Sequence, residues 1–277
     1  FIFTLMKHTL TAAMLMVCTL FNLNAQTGYS DAGARSNSMG NASVTLQDVF
    51  SAQNNQAAMA FIEAPAAGIS TQNYFLVEGG ISSHYGVFAM PIQKAGVFGL
   101  SANYTGDNTF NQTKIGLGYG RKLAENVAVG LQLDYVGTKT SEVGSGAAFT
   151  FDIGVLYQPN KVLSIGAKVF NPVRAKNNLD FEEELPSIIN VGFAYQPSEK
   201  IMVCIEGEQN LQDDLRIKSG VEYHIIDQLY LRAGYLSNPS MFTTGIGLKI
   251  KTLQLDLSSQ FHQQLGVTPG LGIRYEF

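Results

Sequence analysis

Val267-Thr-Pro-Gly-Leu-Gly-Ile-Arg-Tyr-Glu-Phe277 alternates strictly to its last residue. Val267, Pro269, Leu271, Ile273, Tyr275 and Phe277 fall on one face, and Thr268, Gly270, Gly272, Arg274 and Glu276 on the other. Successive side chains of a strand point to opposite faces, so this period of two is a strand signature. One face is greasy and ends in aromatics. The other is small and polar. That division suits the closing strand of a membrane barrel, with lipid outside and water inside.

The same alternation runs back through the chain from about residue 67. Val127, Val129, Leu131, Leu133 and Tyr135 oppose Ala128, Gly130, Gln132 and Asp134. Phe149, Phe151, Ile153, Val155 and Tyr157 oppose Thr150, Asp152 and Gly154. Leu215, Ile217, Val221 and Tyr223 oppose Arg216, Lys218, Gly220 and Glu222. About fourteen such runs can be counted, each of about 9–11 residues, the length a tilted membrane strand needs. Connections alternate too. Short turns at Pro91–Lys94, Lys122–Asn126, Gln158–Val162, Pro197–Lys200, Ile226–Gln228 and Lys251–Thr252 alternate with mostly longer links. Those links are Thr105–Asn111, Thr138–Gly146, Asn171–Pro186, Asn210–Asp214, Ser237–Met241 and His262–Gly266. Short periplasmic turns and longer outer loops are the pattern of outer-membrane barrels. The expectation is an all-β, transmembrane antiparallel β-barrel of about 14 strands.

A soluble sandwich or lipocalin-like barrel would also have one greasy face, turned inward. Three features weigh against it. Tyr104, Tyr119, Tyr135, Tyr157, Tyr195, Tyr223 and Tyr235 sit on the greasy face near strand ends, like an interfacial girdle. The opposite face carries charges in most strands, which suits a wet lumen. The beginning of the chain reads as an export signal, with Met6 as the expected start. Lys7 and His8 form a basic region, Thr9 to Phe21 an apolar stretch, and Leu23-Asn24-Ala25 a cleavage site. Residues 1–25 are therefore set apart. Residues 26–66 form a small, polar, Ala/Gly/Asn-rich segment, either an exposed tail or a short plug. Residues 67–277 carry the strands.

Only 14% of the 277 residues are charged, against about 25% in a typical soluble domain, and 28 are glycine. The net charge of −4 gives no electrostatic case for nucleic acid. Beyond the beginning of the chain no apolar run is long enough for a membrane-spanning helix. Cys204, within a strand-like run, reads as an inert wall residue. No His/Cys/Asp/Glu cluster has metal-ligand spacing, and no cofactor is expected. His224 shares a face with Glu222 but has no nucleophile motif nearby, so an enzyme is not expected. Gly118-Tyr-Gly120 and Gly245-Ile-Gly247 read as strand glycines that leave room for a plug or a neighbouring side chain, not as phosphate loops. The lumen face of the second half is charged: Glu206, Glu208, Arg216, Lys218, Glu222, Arg232, Lys249, Asp256 and Arg274. Opposite charges on neighbouring strands can pair and stiffen the wall. A solute pathway is the alternative.

The segment Asp31-Ala-Gly-Ala-Arg-Ser-Asn-Ser-Met-Gly-Asn-Ala-Ser-Val-Thr-Leu-Gln-Asp48, followed by Asn54-Asn-Gln-Ala-Ala-Met-Ala60, resembles the N-terminal hatch of FadL-like outer-membrane barrels, especially the PorV/PorQ-type branch of Bacteroidetes. Gly33, Ala34, Arg35, Met39, Gly40, Val44, Asp48, Asn55 and Ala57 carry the match, with Gln56 where the family has Pro. Leu231-Arg-Ala-Gly-Tyr235 and Gly245-Ile-Gly-Leu248 match in style. The resemblance implies a fourteen-stranded barrel with a small N-terminal hatch in the lumen, placed in the outer membrane and in contact with its lipid. Tyr275 and Phe277 resemble the insertion signal read by the barrel assembly machinery. PorV-type members serve the type IX secretion system. The first functional expectation is thus a scaffold that binds or shuttles secreted proteins, with secretion components and their cargo as partners. The loop bearing Arg174, Lys176, Asp180, Glu182, Glu183 and Glu184 is its candidate contact. FadL itself passes fatty acids through a lateral opening. The alternative is accordingly a channel for small hydrophobic compounds, with an apolar pocket beneath the hatch and a kinked strand. A purely structural barrel is the third reading.

Overall fold

The computed structural model describes residues 31–77, 79–141, 144–178 and 184–277. Fourteen strands follow one another: β1 (Ala66–Asn73), β2 (Ser82–Ile92), β3 (Gly96–Gly106), β4 (Phe110–Ala124), β5 (Val127–Thr140), β6 (Gly144–Asn160) and β7 (Leu163–Phe170), then β8 (Ile188–Ser198), β9 (Ile201–Asn210), β10 (Arg216–Ile226), β11 (Leu229–Leu236), β12 (Met241–Ile250), β13 (Leu253–His262) and β14 (Gly266–Glu276). Each pairs antiparallel with its neighbours in sequence. The barrel closes where β1 meets β14, from Ala66 opposite Glu276 to Gln72 opposite Gly270. Closure leaves no free sheet edge, which is what makes a sheet tolerable in lipid.

The barrel is apolar outside and polar inside. Along β5, Leu133 is 59% exposed while its neighbours Gln132 and Asp134 are 0% and 1% exposed. Phe149 of β6 is 78% exposed and Asp152 is fully buried. A soluble barrel would reverse these figures, so the exterior is a lipid-facing surface. Its aromatics form two belts. Phe98, Tyr119, Tyr157, Tyr195, Tyr223 and Tyr275 lie toward the rim that holds both ends of the sheet. Tyr104, Tyr135, Phe149, Tyr235, Phe242 and Phe261 lie toward the opposite rim. Amphipathic rings at two levels mark the two membrane interfaces.

The turns at the rim holding both ends are two or three residues long, as expected. The outer connections are shorter than predicted because strands run on into them. β5 and β6 continue to Thr140 and Gly144, leaving three residues between them. The long link after β7 covers residues 171–187. Of its described residues, Leu185 and Ala175 pack with Val136 and Ala148 on the inner face of β5 and β6.

Residues 31–65 lie inside the barrel, so the segment is a plug and not a tail. It holds three single-turn helices, α1 (Ala34–Asn37), α2 (Ser51–Asn54) and α3 (Gln56–Met59). Turns this short are marginal alone and are held by packing. Val49, Phe50, Ala52 and Met59 pack on Tyr85, Val87, Ala89 and Val97. Met39, Ala42 and Leu46 pack on Ala194, Met202 and Cys204. Inward glycines flatten the wall where the plug comes closest. A methyl group on Gly120, Gly130 or Gly154 would run into Asn55, Gln56 or Ala57, and one on Gly220, Gly234 or Gly245 into Ser38, Met39 or Gly40. Gly40 is constrained twice. Its φ is +67°, and a Cβ would strike the backbone oxygens of Ser219 and Tyr235.

Candidate functional site: the hatch and the charged lumen wall

The hatch meets the wall in a closed ring of six charges. Arg35 of α1 bonds Glu222 of β10 at 2.7 Å, and Glu222 bonds Arg232 of β11 at 2.6 Å. Arg232 bonds Asp256 of β13 at 2.7 Å, and Asp256 bonds Arg274 of β14 at 2.8 Å. Arg274 reaches Asp48 of the hatch at 2.9 Å, and Asp48 returns to Arg35 at 3.1 Å. Three guanidiniums and three carboxylates alternate, so the ring is neutral. Arg35 grips Glu222 with two nitrogens, the fork geometry that makes arginine suited to carboxylates. Register explains the wall's share. Glu222 stands opposite Arg232, and Arg274 opposite Gln254, one inward position from Asp256. The hatch supplies the two charges that close the circle. Burial disfavours the Asp48 carboxylate, but the Arg274 and Arg35 guanidiniums outweigh this and hold its pKa below the usual range. Burial also opposes charge on Arg35, and Glu222 and Asp48 more than offset it.

A second cluster lies on β8–β10. Lys218 Nζ donates to Asp31 at 2.5 Å and contacts Glu206 at 3.0 Å and Glu208 at 2.6 Å. Glu206 Oε2 accepts the backbone N–H groups of Ser43 and Val44, and Arg216 pairs with Glu208 at 2.7 Å. The three carboxylates converge closely enough to suggest a metal site. The Lys218 ammonium already occupies the place a cation would take.

Most of the predicted lumen charges are therefore brought together: Glu206, Glu208, Arg216 and Lys218 in this cluster, and Glu222, Arg232, Asp256 and Arg274 in the ring. Lys249 differs. It shares their strand face but is exposed at the mouth that holds both ends of the sheet, beside Gln254 and Arg274, because β12 ends there. His224 lies 3.4 Å from Glu222, which is already engaged by two arginines. Among the hatch residues, Asn55 caps α3 by accepting the Ala57 N–H and donates to the Val44 carbonyl at 2.7 Å. Ala34 packs beside Gly272, and Gly33 lies under the Phe50 ring. In the outer loop, Lys176 and Glu184 form a β-bridge and Arg174 is exposed. Asp180, Glu182 and Glu183 lie outside the described residues, as does the export signal. Tyr275 and Phe277 face outward with rings 5.0 Å apart.

A third cluster was missed by sequence reasoning. Lys114 of β4 contacts Asp134 and Asp152, each at 3.4 Å, and Lys168 of β7 contacts Asp152 at 3.2 Å. Lys168 also donates to the Gln53 carbonyl of the hatch at 2.7 Å. Inward parity on β4–β7 was the available signal. A cleft of about 40 Å³ adjoins this cluster at the outer end, lined by Asp31, Gln53, Lys114 and Lys168 together with Phe170 and Ile188. The clefts found mix polar and apolar lining, and among the described residues no strand shifts register in mid-course. The register shifts lie at the short turns instead.

Solved structures place the architecture. The deltaS2S3 mutant of TodX, a monoaromatic hydrocarbon channel, superimposes with a TM-score of 0.73 at 12% identity, covering 90% of this chain and all of the other. The toluene transporter TodX of Pseudomonas putida gives 0.68 at 12% identity, over 88% of this chain and 96% of the other. A FadL homologue of Pseudomonas aeruginosa gives 0.67 at 12% identity, over 89% and 98%. The fold is FadL-like. At this identity the likeness establishes the barrel and nothing of its cargo. No family model and no curated protein matches the sequence. Within the FadL-like fold, the lumen here holds residues 31–65 as a plug, joined to the β9–β14 side by ion pairs as well as by packing.

Proposed function

We propose that the protein is a hatch-gated outer-membrane channel for small hydrophobic compounds. The observation that supports it most is the full-length likeness to hydrocarbon channels at TM-scores near 0.7. The ring gives this reading a mechanism. A ligand site normally offers about 300–1,000 Å³, far more than the 40 Å³ cleft. Passage thus requires the hatch to shift, and a neutral ring with two members on the hatch can open as a unit. Cells lacking the protein should take up toluene-like compounds more slowly than cells carrying it. Equal uptake in both would sink this reading.

A second reading is favoured by the closed lumen and the hatch motif: a PorV/PorQ-type scaffold of type IX secretion, acting through the 171–187 loop without transport. It takes outer-membrane lipid, the barrel assembly machinery, secretion components and their cargo as partners, after export and cleavage near Ala25. Recovery of secretion components in a pull-down from outer membranes supports it. Slower hydrocarbon uptake on deletion, with secretion intact, rejects it.

A further inference from the structure

We propose that the outer part of β6 is a docking edge for an extended acidic polypeptide, which pairs with it as an added strand. β6 begins at Gly144, but β7 meets it only from Asp152 onward. Outward of that level β5 is the one strand paired with β6, over roughly 25 Å of its length. Phe149 stands at the outer aromatic belt. Ser145 and Ala147 therefore lie on its water side, where an unpaired strand edge is tolerable, as it is not in lipid.

Asn171 is the reason the edge is bare. Its φ of +51° is a left-handed turn, which asparagine tolerates better than most residues. The residue is buried, and its side chain accepts from Thr150 Oγ1 at 2.7 Å and from the Ala175 N–H at 2.9 Å. It also donates to the Leu185 carbonyl at 2.9 Å. These bonds divert the chain from the line that β7 was following along β6. The groups left behind have a fixed order. Phe151 accepts the Asn171 N–H on the β7 side, whereas Gln158 donates to Asn126 on the β5 side. Successive residues of a strand alternate in this respect, so Ser145, Ala147 and Phe149 aim both N–H and C=O away from β5. Among the described residues, no backbone hydrogen bond reaches those groups.

Exposed edges are usually blocked by lysine, proline or a bulge. The run Gly144-Ser-Gly-Ala-Ala148 contains neither residue, and its pairing with β5 has no register shift. Its side chains are too small to cover the backbone. Phe149, 78% exposed at the base of the edge, offers an apolar surface to an aromatic or β-branched residue of the incoming strand. Charge selects further. Lys139 stands opposite Ser145 on β5, and Arg174 follows three residues after Asn171. Both are exposed, and neither has an ion pair among the described residues. An added strand continues the ladder that β7 already forms on β6, with these two cations beside it. Acidic residues are attracted there and basic ones repelled. The inference goes beyond both readings of function and rests on neither.

Fluorescence anisotropy on the intact protein in detergent tests this, with a labelled Thr-Val-Thr-Val-Thr peptide flanked by aspartates as the probe. Saturable binding to the wild type is expected. Ala147→Pro removes an N–H on the open side alone and leaves the β5 ladder whole. It should weaken binding about tenfold or more. Ala147→Val keeps that N–H and should bind as the wild type does. Heat-modifiable mobility confirms that each variant is folded. On the wild type, the same peptide N-methylated along its length should not bind, and one flanked by lysines should bind more weakly. No saturable binding to the wild type overturns the proposal. So does equal binding to Ala147→Pro, or equal binding of the methylated or the lysine-flanked peptide. Self-association of the wild type that is lost in Ala147→Pro, without peptide binding, assigns the edge to a second copy and equally overturns it.

Discussion

Arg35 and Asp48 each touch a charge on the wall and each other. Removing one partner of a buried pair strands the remaining charges and costs about 3–5 kcal/mol. Arg35→Met should therefore loosen the hatch strongly, read as faster proteolysis within residues 31–65. Arg35→Met combined with Glu222→Gln should lose less than the two single changes added together, since the stranded partner is neutralised too. Equal and additive losses would count against the ring. The pH dependence has a definite sign. Asp48 has a folded pKa below its unfolded value of about 3.9. Its contribution is therefore complete above about pH 4 and declines as pH falls through the lowered folded value. Hatch proteolysis should stay slow at neutral pH and accelerate only in acid below that point. Gly40→Ala tests packing without charge. With φ at +67° and two wall carbonyls in the way, the substitution should unseat the Met39–Gly40 turn while leaving the barrel folded.

At the scale of the strand, the two faces demand opposite things. Leu133 faces lipid and Gln132 faces the hatch. Leu133→Arg near mid-membrane should cost about 2–4 kcal/mol in urea unfolding from lipid vesicles, and the same change near a rim about 0–1. A uniform cost at every height would contradict the assigned membrane band. This face pattern was fully legible in the sequence because a period of two is local, and Val267 to Phe277 carries it without help from distant residues. The hatch position was legible only through its resemblance to known hatches. The ring was not, because Arg35 and Glu222 lie 187 residues apart and Asp48 and Arg274 lie 226 apart. Inward parity shows that a charge faces the lumen, but not which charge on another element it meets. The same limit hid Lys114 and Lys168, whose aspartate partners lie one and two strands away. Lys249 shows the converse error, since parity says nothing of height along the barrel axis.

As a whole, the molecule is a closed tube whose bore is occupied by residues 31–65. Hydrophobic packing, glycine-flattened contacts and two ionic clusters hold that plug, and the packing is contributed by β1–β3, β5, β6, β8 and β9. The wall has no edge to open without breaking ladder bonds. A tube of this strand number is broad enough to conduct once emptied. On the proposed channel reading, the ring of Arg35, Glu222, Arg232, Asp256, Arg274 and Asp48 keeps the hatch shut. Conductance across planar bilayers tests it most directly, comparing the wild type with Arg35→Met and with Asp48→Asn. The wild type is expected to show no sustained open level, and the ring variants to open repeatedly. A wild type that conducts steadily, or ring variants as silent as the wild type, would contradict it.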